Sequence, residues 1–289
     1  MNFTDFMSLL VWQHIPETLD PIAFTIGFFS VYWYALFFLG GFFAALFLAF
    51  RFASRGGFPY SQEVIFDMFL YIFFGALLGG HIGYALFYNL DAFIAMPHTA
   101  FLPYDFGRGL WVGISGMSYH GGLIGAALAL YWFARRQKID FWKAADFAVF
   151  FAPIAIFFGR LGNFFNVELH GRITEQPWGM IFPGVLPDGV LRHPSTLYEA
   201  FLEGVVLFAL LILLRKKMPF SGALTCAFLA GYAILRFLGE YFREPDTQIG
   251  FLFGPPAGGF TMGQILSVIL FFASIALFAW LKHKNRATI

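Results

Sequence analysis

Long apolar stretches, separated by short polar connections, occupy most of the chain. Seven of these stretches are close to the ~20 residues that an α-helix needs to cross a bilayer. They cover residues 26–50, 68–90, 119–136, 144–162, 196–214, 221–241 and 261–281. The pattern therefore predicts an all-α polytopic membrane protein with about seven transmembrane helices, built as a single transmembrane domain over residues 1–289.

The segments outside these spans are expected to lie on the membrane surface. Residues 1–25 lack the cationic start and the small-residue cleavage site of a signal peptide, so they are expected to form an interfacial N-terminal arm. The two longest connections, 91–118 and 163–195, are rich in Pro, Gly, Trp and Tyr and are expected to be ordered loops. Ser195 or Thr196 is the expected N-cap of the fifth span.

Lys and Arg residues are distributed unevenly between the two sets of connections. One set holds twelve of the 18: Arg51, Arg55, Arg135, Arg136, Lys138, Lys143, Arg215, Lys216, Lys217, Lys282, Lys284 and Arg286. The other set holds four: Arg108, Arg172, Arg192 and Arg243. Because cationic residues accumulate on the cytoplasmic side, the N-terminus is expected outside, the C-terminus in the cytoplasm, and both long loops in the extracytoplasmic space. Arg192 is then an ordinary loop cation, whose replacement by Lys should be nearly silent.

Composition supports the membrane class and excludes others. Residues are 59% hydrophobic and 12% charged, whereas soluble domains carry about 25% charged residues. The net charge of +1 gives no basis for nucleic-acid binding. Cys226 is the only cysteine, so neither a disulfide nor a cysteine metal cluster is expected, and its buried thiol is interpreted as a small apolar group.

The fourth span ends in an unusual polar sequence, GRLGNFFNVELHGR, at residues 159–172. An arginine within a membrane helix costs about 2.5–3.5 kcal/mol even on a mild insertion scale, so Arg160 requires an explanation. It is either an interfacial anchor or part of an anion site, since guanidinium binds phosphate in a bidentate manner. Asn163 lies one helical turn further on the same face, and Glu168 and Gly171 follow in the next turn. Together these residues favour the anion site.

Two further polar clusters are expected at the same membrane level. In SYHGGLIG, His120 stands beside the close-packing glycines Gly121 and Gly125, so it is either a capping residue in a helix contact or a titratable group with space for a ligand. In RFLGEYFREPD, Arg236 and Glu240 are four residues apart and form either a structural pair or part of the site.

Other polar and aromatic positions carry weaker signals. Tyr34 fits an aromatic belt better than a site on composition alone. His81 lies among glycines spaced by four residues, Gly75, Gly79 and Gly83, which indicate a helix-packing seam. Three acidic residues lie towards span ends and indicate no functional role: Asp146, Glu199 and Glu203.

These motifs resemble the bacterial prolipoprotein diacylglyceryl transferase family over essentially the whole chain. SYHGGLIG is similar to the family's His-Gly-Gly-Leu-Ile-Gly signature, and GRLGNFFNVELHGR to its Gly-Arg-x-Gly-Asn-Phe-x-Asn-x-Glu signature. RHPSTLYE, RFLGEYFREPD and MGQILS (Met262–Ser267) match as well. The family pattern has Arg where this chain has His81, so no role is assigned to that position.

The resemblance implies transfer of a diacylglyceryl group from phosphatidylglycerol to the lipobox cysteine of a preprolipoprotein, in the bacterial inner membrane and on its extracytoplasmic side. It implies a thioether product, release of glycerol 1-phosphate, and neither cofactor nor metal. The expected catalytic residues are His120, Arg160 and Arg236. The expected phosphatidylglycerol contacts are Tyr34, Arg160, Asn163, Glu168, Gly171, Arg236 and Glu240.

These roles fit the chemistry of the residues. Arg160 and Arg236 would stabilise the charge that develops on the leaving phosphate, and either His120 or an arginine-activated water would take the thiol proton. A transporter or lipid flippase is the alternative, since intramembrane charges also mark substrate pathways. The chain shows no inverted repeat and no charged path across the membrane. A purely structural scaffold would leave Arg160 and His120 unexplained.

Overall fold

The computed structural model describes residues 11–27, 29–56, 58–88, 90, 94, 104–105, 110–111, 117–245, 250–252 and 259–286. Within them, one helix overlaps each of the seven predicted spans. A short helix, α1 (Ile15–Thr18), precedes them. The seven helices are α2 (Trp33–Ser54), α3 (Gln62–Tyr88), α4 (Tyr119–Arg136), α5 (Phe141–Phe165), α6 (Ser195–Lys217), α7 (Ala223–Gly239) and α8 (Met262–Arg286). Most of the predicted loop 91–118, including Arg108, lies outside the described residues, as do residues 1–10 of the arm.

Five of these helices are long and apolar enough to cross a membrane: α2, α3, α5, α6 and α8. Helix α7 is apolar but has 17 residues, which rise about 26 Å, slightly less than the ~30 Å hydrocarbon core. Helix α4 has 18 residues, including three glycines and two terminal arginines, and is less apolar. The fold is therefore that of a polytopic helical membrane protein with five candidate spanning helices in the described residues.

Short β-hairpins accompany the helices. Strands β1 (Ile22–Ile26) and β2 (Phe29–Tyr32) pair antiparallel, as do β3 (Tyr104–Asp105) with β4 (Leu110–Trp111) and β5 (Met180–Ile181) with β6 (Leu191–Arg192). The predicted start of the first span at residue 26 is wrong, because the first hairpin occupies that position and α2 begins at Trp33. Gly27 adopts a positive φ of 61° in the turn, a conformation that favours glycine.

Two compact units make up the chain: residues 46–148 form one, and residues 1–45 with 149–289 form the other. In the 46–148 unit, α3 packs closely on α4. A Cβ atom on Gly79 would lie 2.3 Å from the carbonyl oxygen of Gly121, and one on Gly125 would lie 2.1 Å from that of Gly75. The predicted glycine seam is thus confirmed, since only hydrogen at these positions allows the two backbones to approach so closely.

The other unit contains α6–α8, the N-terminal part of α2 and the C-terminal part of α5. Helix α7 packs on α8 and on α6. The loop 163–195 has a small core of its own, formed by Phe164, Met180 and Phe182, against which Trp12 of the N-terminal arm packs. The indole of Trp12 also donates to the carbonyl of Trp178 at 2.9 Å. This loop is therefore an ordered element, as predicted.

The ends of two helices differ from expectation. Helix α6 begins after Pro194, and no side chain caps it. Ser195 and Thr196 are not its caps: both are buried in the first turn, and the Ser195 hydroxyl donates to the carbonyl of Leu169 at 2.8 Å. In α4 the cap is Ser118, whose hydroxyl oxygen accepts from the backbone N–H of Gly121 at 3.2 Å. The interpretation of His120 as the capping residue is therefore wrong.

Candidate active site

Arg160, near the C-terminal end of α5, contacts two carboxylates of α6. Its Nε and NH2 groups donate to Oε2 of Glu203 at 3.2 and 3.0 Å, and NH1 lies 3.0 Å from Oε2 of Glu199. The Arg160 side chain is 16% exposed, whereas both carboxylates are buried. Arg160 is thus held in a defined orientation by ion pairs, and it does not behave as a snorkelling surface anchor.

Arg236, near the end of α7, contacts the same carboxylate pair from another helix. Its NH1 pairs with Oε1 of Glu199 and lies 3.6 Å from Oε1 of Glu203. Its NH2 lies 2.6 Å from Oε2 of Glu240, so the predicted pair four residues apart exists. Arg243 adds a third guanidinium, with NH1 at 3.6 Å from Glu199. Glu199 is therefore shared by three arginines.

The two carboxylates of α6 are the residues that sequence reasoning missed. Glu199 is the last residue of the α-helical segment Ser195–Glu199. Glu203 lies in the π-helical segment that follows, Ala200–Val206. π-helical segments are rare and often occur at functional sites. The sequence did carry a signal, because two acids four residues apart within an apolar span lie on one face and must be neutralised by cations.

The charges within this cluster balance. Its core, which we call the arginine–glutamate network, consists of Arg160, Arg236, Arg243, Glu199, Glu203 and Glu240. Burying isolated charges costs much free energy. Pairing three cations with three anions offsets part of that cost. The described contacts of Arg160 use three of the five N–H groups of a guanidinium. The partly exposed Arg160 thus retains donor capacity for an incoming anion.

The sequence after Arg160 forms a tight turn that brings two predicted site residues together. The Asn163 side chain donates to Oε1 of Glu168 at 2.7 Å. Val167 and Leu169, on either side of Glu168, have φ of 56° and 57°. This region is unfavourable for residues that carry a Cβ, especially a β-branched one, and such strain is concentrated at functional sites.

Tyr34 packs beside this turn. A Cβ atom on Gly162 would lie 3.1 Å from Cδ2 of Tyr34, so glycine allows the tyrosine to lie close to α5. The Tyr34 backbone N–H donates to Oδ1 of Asn166 at 3.3 Å, and the side chain is 37% exposed. Tyr34 is thus attached to the segment that carries Arg160 and Asn163.

Gly171 joins the loop 163–195 to the end of α7. It forms an isolated β-bridge with Arg243, and a Cβ there would lie 2.4 Å from the carbonyl oxygen of His193 and 2.5 Å from that of Phe242. The close approach at Gly171 is therefore to protein backbone, and the role of Gly171 as a substrate contact remains a prediction. The neighbouring Arg172 donates to the carbonyls of Arg243 at 2.9 Å and Glu240 at 3.2 Å, which fixes the end of α7.

Arg192 is not an ordinary loop cation. Its side chain is buried and donates to the carbonyls of Gly171 at 3.3 Å and Leu186 at 2.6 Å, and it lies 3.4 Å from Glu244. The basis for expecting a silent Arg192→Lys substitution is therefore removed, because lysine cannot reproduce these divergent contacts. Burial, together with the charge of Arg192, lowers the pKa of His170 in the same loop.

His120 belongs to the 46–148 unit, near the start of α4, and its side chain is exposed. His81 lies on α3 of the same unit and is half-buried. The convergence of His120 with the two arginines therefore remains a prediction. Within the described residues, no group of three or more His, Cys, Asp or Glu side chains is arranged to hold a metal ion.

The fold and the buried network define a multi-pass membrane protein with an arginine-rich site held between helices. A sequence profile described as prolipoprotein diacylglyceryl transferase matches residues 21–280. The chain therefore belongs to this family.

Three relatives illustrate the similarity, and each bears the name phosphatidylglycerol–prolipoprotein diacylglyceryl transferase. The protein from Chlorobaculum tepidum is 42% identical over 94% of this chain and 93% of its own length. The one from Vibrio vulnificus strain CMCP6 is 47% identical over 91% of each chain. The one from Geobacter sulfurreducens is 44% identical over 90% of this chain and 94% of its own.

Proposed function

We propose that this protein transfers the diacylglyceryl group of phosphatidylglycerol to the thiol of a lipobox cysteine in a preprolipoprotein. The names of its relatives support this reaction. The structural observation that carries it is the meeting of Arg160 and Arg236, from two different helices, across the shared carboxylate of Glu199. Two fixed guanidiniums with remaining N–H donors suit a phosphodiester.

The reaction places charge where the arginines can stabilise it. The peptide thiolate attacks the C3 carbon of the diacylglyceryl group, a C–S bond forms, and the C–O bond to phosphate breaks. The electron pair leaves with glycerol 1-phosphate, which moves from a monoanionic diester towards a dianionic monoester. Donors already oriented towards this developing charge lower the barrier, because they need no reorganisation during the reaction.

The other assigned roles are part of the proposal. Arg160 and Arg236 bind the phosphate, and Asn163, Glu168 and Glu240 orient the donor headgroup or the arginines. Tyr34 and Gly171 contribute to the donor site. His120 takes the thiol proton, which then passes to the product phosphate or to water. The chain uses its own residues throughout and requires neither cofactor nor metal.

The proposed setting is the bacterial inner membrane, crossed seven times by a single transmembrane domain with the N-terminus outside and the C-terminus in the cytoplasm. The cation bias supports this orientation. The arm 1–25 and the loops 91–118 and 163–195 then lie on the extracytoplasmic side, where the lipobox emerges. The exposed apolar side chains of Phe24, Ile26 and Phe29 in the first hairpin support an arm that touches the bilayer.

The direct test uses purified protein in liposomes with a lipobox peptide. The expected result is a peptide whose mass increases by one diacylglyceryl group with phosphatidylglycerol as donor, and no change when the peptide cysteine is replaced by serine. A lipid transporter would instead move fluorescent phosphatidylglycerol between leaflets and leave the peptide unmodified. That outcome would favour the alternative function, which none of the three relatives' names supports.

A further inference from the structure

The first turn of α8 contains the motif MGQILS and is closed by a reciprocal pair of hydrogen bonds. The backbone N–H of Gln264 donates to Oγ1 of Thr261 at 3.2 Å, and the backbone N–H of Thr261 donates to Oε1 of Gln264 at 3.1 Å. This is a capping box, and both residues are buried. Because the Thr261 oxygen accepts a bond from α8, its hydroxyl proton remains available for another partner.

That partner is a member of the arginine–glutamate network. The Thr261 hydroxyl donates to Oε1 of Glu240 at 3.1 Å. A Cβ on Gly263 would lie 2.5 Å from Oε1 and 2.9 Å from Oε2 of Glu240, so the carboxylate lies directly over this glycine. The carboxylate also lies at the N-terminus of a 25-residue helix, where a negative charge is favoured.

The other carboxylate oxygen of Glu240 faces Arg236, at 2.6 Å from NH2. A salt bridge between residues four apart on one helix does not by itself fix both side chains, because each retains several rotamers. A second attachment from a different helix removes that freedom. Thr261 and Gly263 thus fix Glu240 from one side while Arg236 contacts it from the other.

We propose that the turn Thr261–Gln264 is a positioning device for Arg236. The capping box orients the Thr261 hydroxyl, the hydroxyl and Gly263 hold the Glu240 carboxylate, and Glu240 holds the guanidinium towards the donor phosphate. The inference rests on the proposed role of Arg236 in binding phosphate. Thr261, Gly263 and Gln264 are positioning residues that act through Glu240 and do not touch the substrate.

The test is a double-mutant cycle on purified protein, with kcat, KM for phosphatidylglycerol and the thermal unfolding midpoint measured for each variant. Thr261→Val should lower kcat/KM about 10- to 100-fold, the range for losing a hydrogen bond to a charged group. In a Glu240→Gln background the same change should cost less than about threefold, because the residue through which Thr261 acts is already altered. Thr261→Ser, which keeps the hydroxyl, should restore most of the activity.

Two further variants separate positioning from helix stability. Gly263→Ala leaves the capping box intact but displaces the carboxylate, so it should also lower kcat/KM without a matching loss of thermal stability. Ser274→Ala removes another buried hydroxyl of α8, which donates to Phe271 at 2.6 Å, and should leave kcat/KM unchanged.

The outcomes distinguish this inference from the proposed function. Equal losses from Thr261→Val in both backgrounds, or a loss that follows only the unfolding midpoint, would overturn the positioning role while the transfer function stands. A wild-type protein that transfers no diacylglyceryl group, or an Arg236→Lys variant with normal turnover, would overturn the proposed function and with it the basis of the inference.

Discussion

Replacing Arg160 by lysine tests the anion site by keeping the charge and removing the planar fork. In the structure Arg160 donates two hydrogen bonds to Glu203 and contacts Glu199 with a third nitrogen. A lysine ammonium is a single point charge on a flexible chain and cannot meet both carboxylates and a phosphate in the same geometry. We therefore expect the variant to insert and fold but to transfer slowly.

The size of the loss follows from the contacts removed. A hydrogen bond involving a charged group contributes about 1.5–3 kcal/mol. If the ammonium keeps one of the Glu203 contacts, one or two such interactions are lost in the transition state. At about 1.4 kcal/mol per tenfold change in rate, one lost interaction lowers kcat/KM about 10- to 100-fold and two lower it about 100- to 10,000-fold.

The assay is initial-rate transfer to a lipobox peptide at varied phosphatidylglycerol, with unfolding midpoints measured in the same detergent. Arg135→Lys is the matched control, because Arg135 is an exposed cation at the end of α4 in the other unit. Normal kcat/KM in Arg160→Lys would refute the phosphate-binding role and leave Arg160 as a structural ion-pair partner.

Three further predictions concern the nucleophile, the base and the orientation. Cys226→Ser should keep most of its transfer activity, since the reacting thiol belongs to the peptide; a folded but inactive variant would contradict this. His120→Asn should slow transfer about 10²–10⁴-fold, and the defect should shrink as pH rises towards the thiol pKa of about 8.5; a loss independent of pH, with weaker lipid binding, would make His120 structural. On the Cys226→Ser background, an impermeant thiol reagent applied to spheroplasts should label Asp188→Cys but not Lys216→Cys. The reverse labelling pattern would show that the protein has the opposite orientation in the membrane.

Hydropathy predicted the positions of the helices but not the type of every apolar segment. The sequence around Phe24, Ile26 and Phe29 is as apolar as a helix start, yet it forms a hairpin with exposed side chains. The number of apolar residues does not distinguish a helix from a β-hairpin. The β-branched residues and the turn glycine Gly27, in contrast, are typical of a hairpin. The helical seam at Gly79 and Gly121 was predictable, because glycines repeating every four residues line one helix face.

The sequence predicted the arginines of the candidate site but not the acidic residues that hold them in place. Arg160 and Arg236 could be identified because a charged residue within an apolar span is energetically costly and therefore indicates a functional site. Glu199 or Glu203 alone resembles an ordinary acidic residue near the end of a span, and only the burial of both requires them to be paired with those same arginines. A loop position predicts an exposed Arg192, whereas the loop has its own core and binds the guanidinium with backbone carbonyls.

The contacts that position Glu240 could not be read from the sequence. Thr261 is 21 residues away and reaches Glu240 only through the packing of α7 against α8. The capping pattern of Thr261 and Gln264 predicts where a helix starts, but not what its hydroxyl contacts.

In the proposed reaction, the arginine–glutamate network drives the exchange of a C–O bond to phosphate for a C–S bond to the peptide. The most direct measurement is the yield of the two products from purified protein, phosphatidylglycerol and a lipobox peptide: thioether-linked diacylglyceryl peptide by mass spectrometry and free glycerol 1-phosphate by enzymatic assay. Both products should accumulate in equal molar amounts, and both should fall together in Arg160→Lys and Arg236→Lys. Thioether without glycerol 1-phosphate, release of glycerol 1-phosphate without thioether, or unchanged yields in both arginine variants would contradict the proposed reaction.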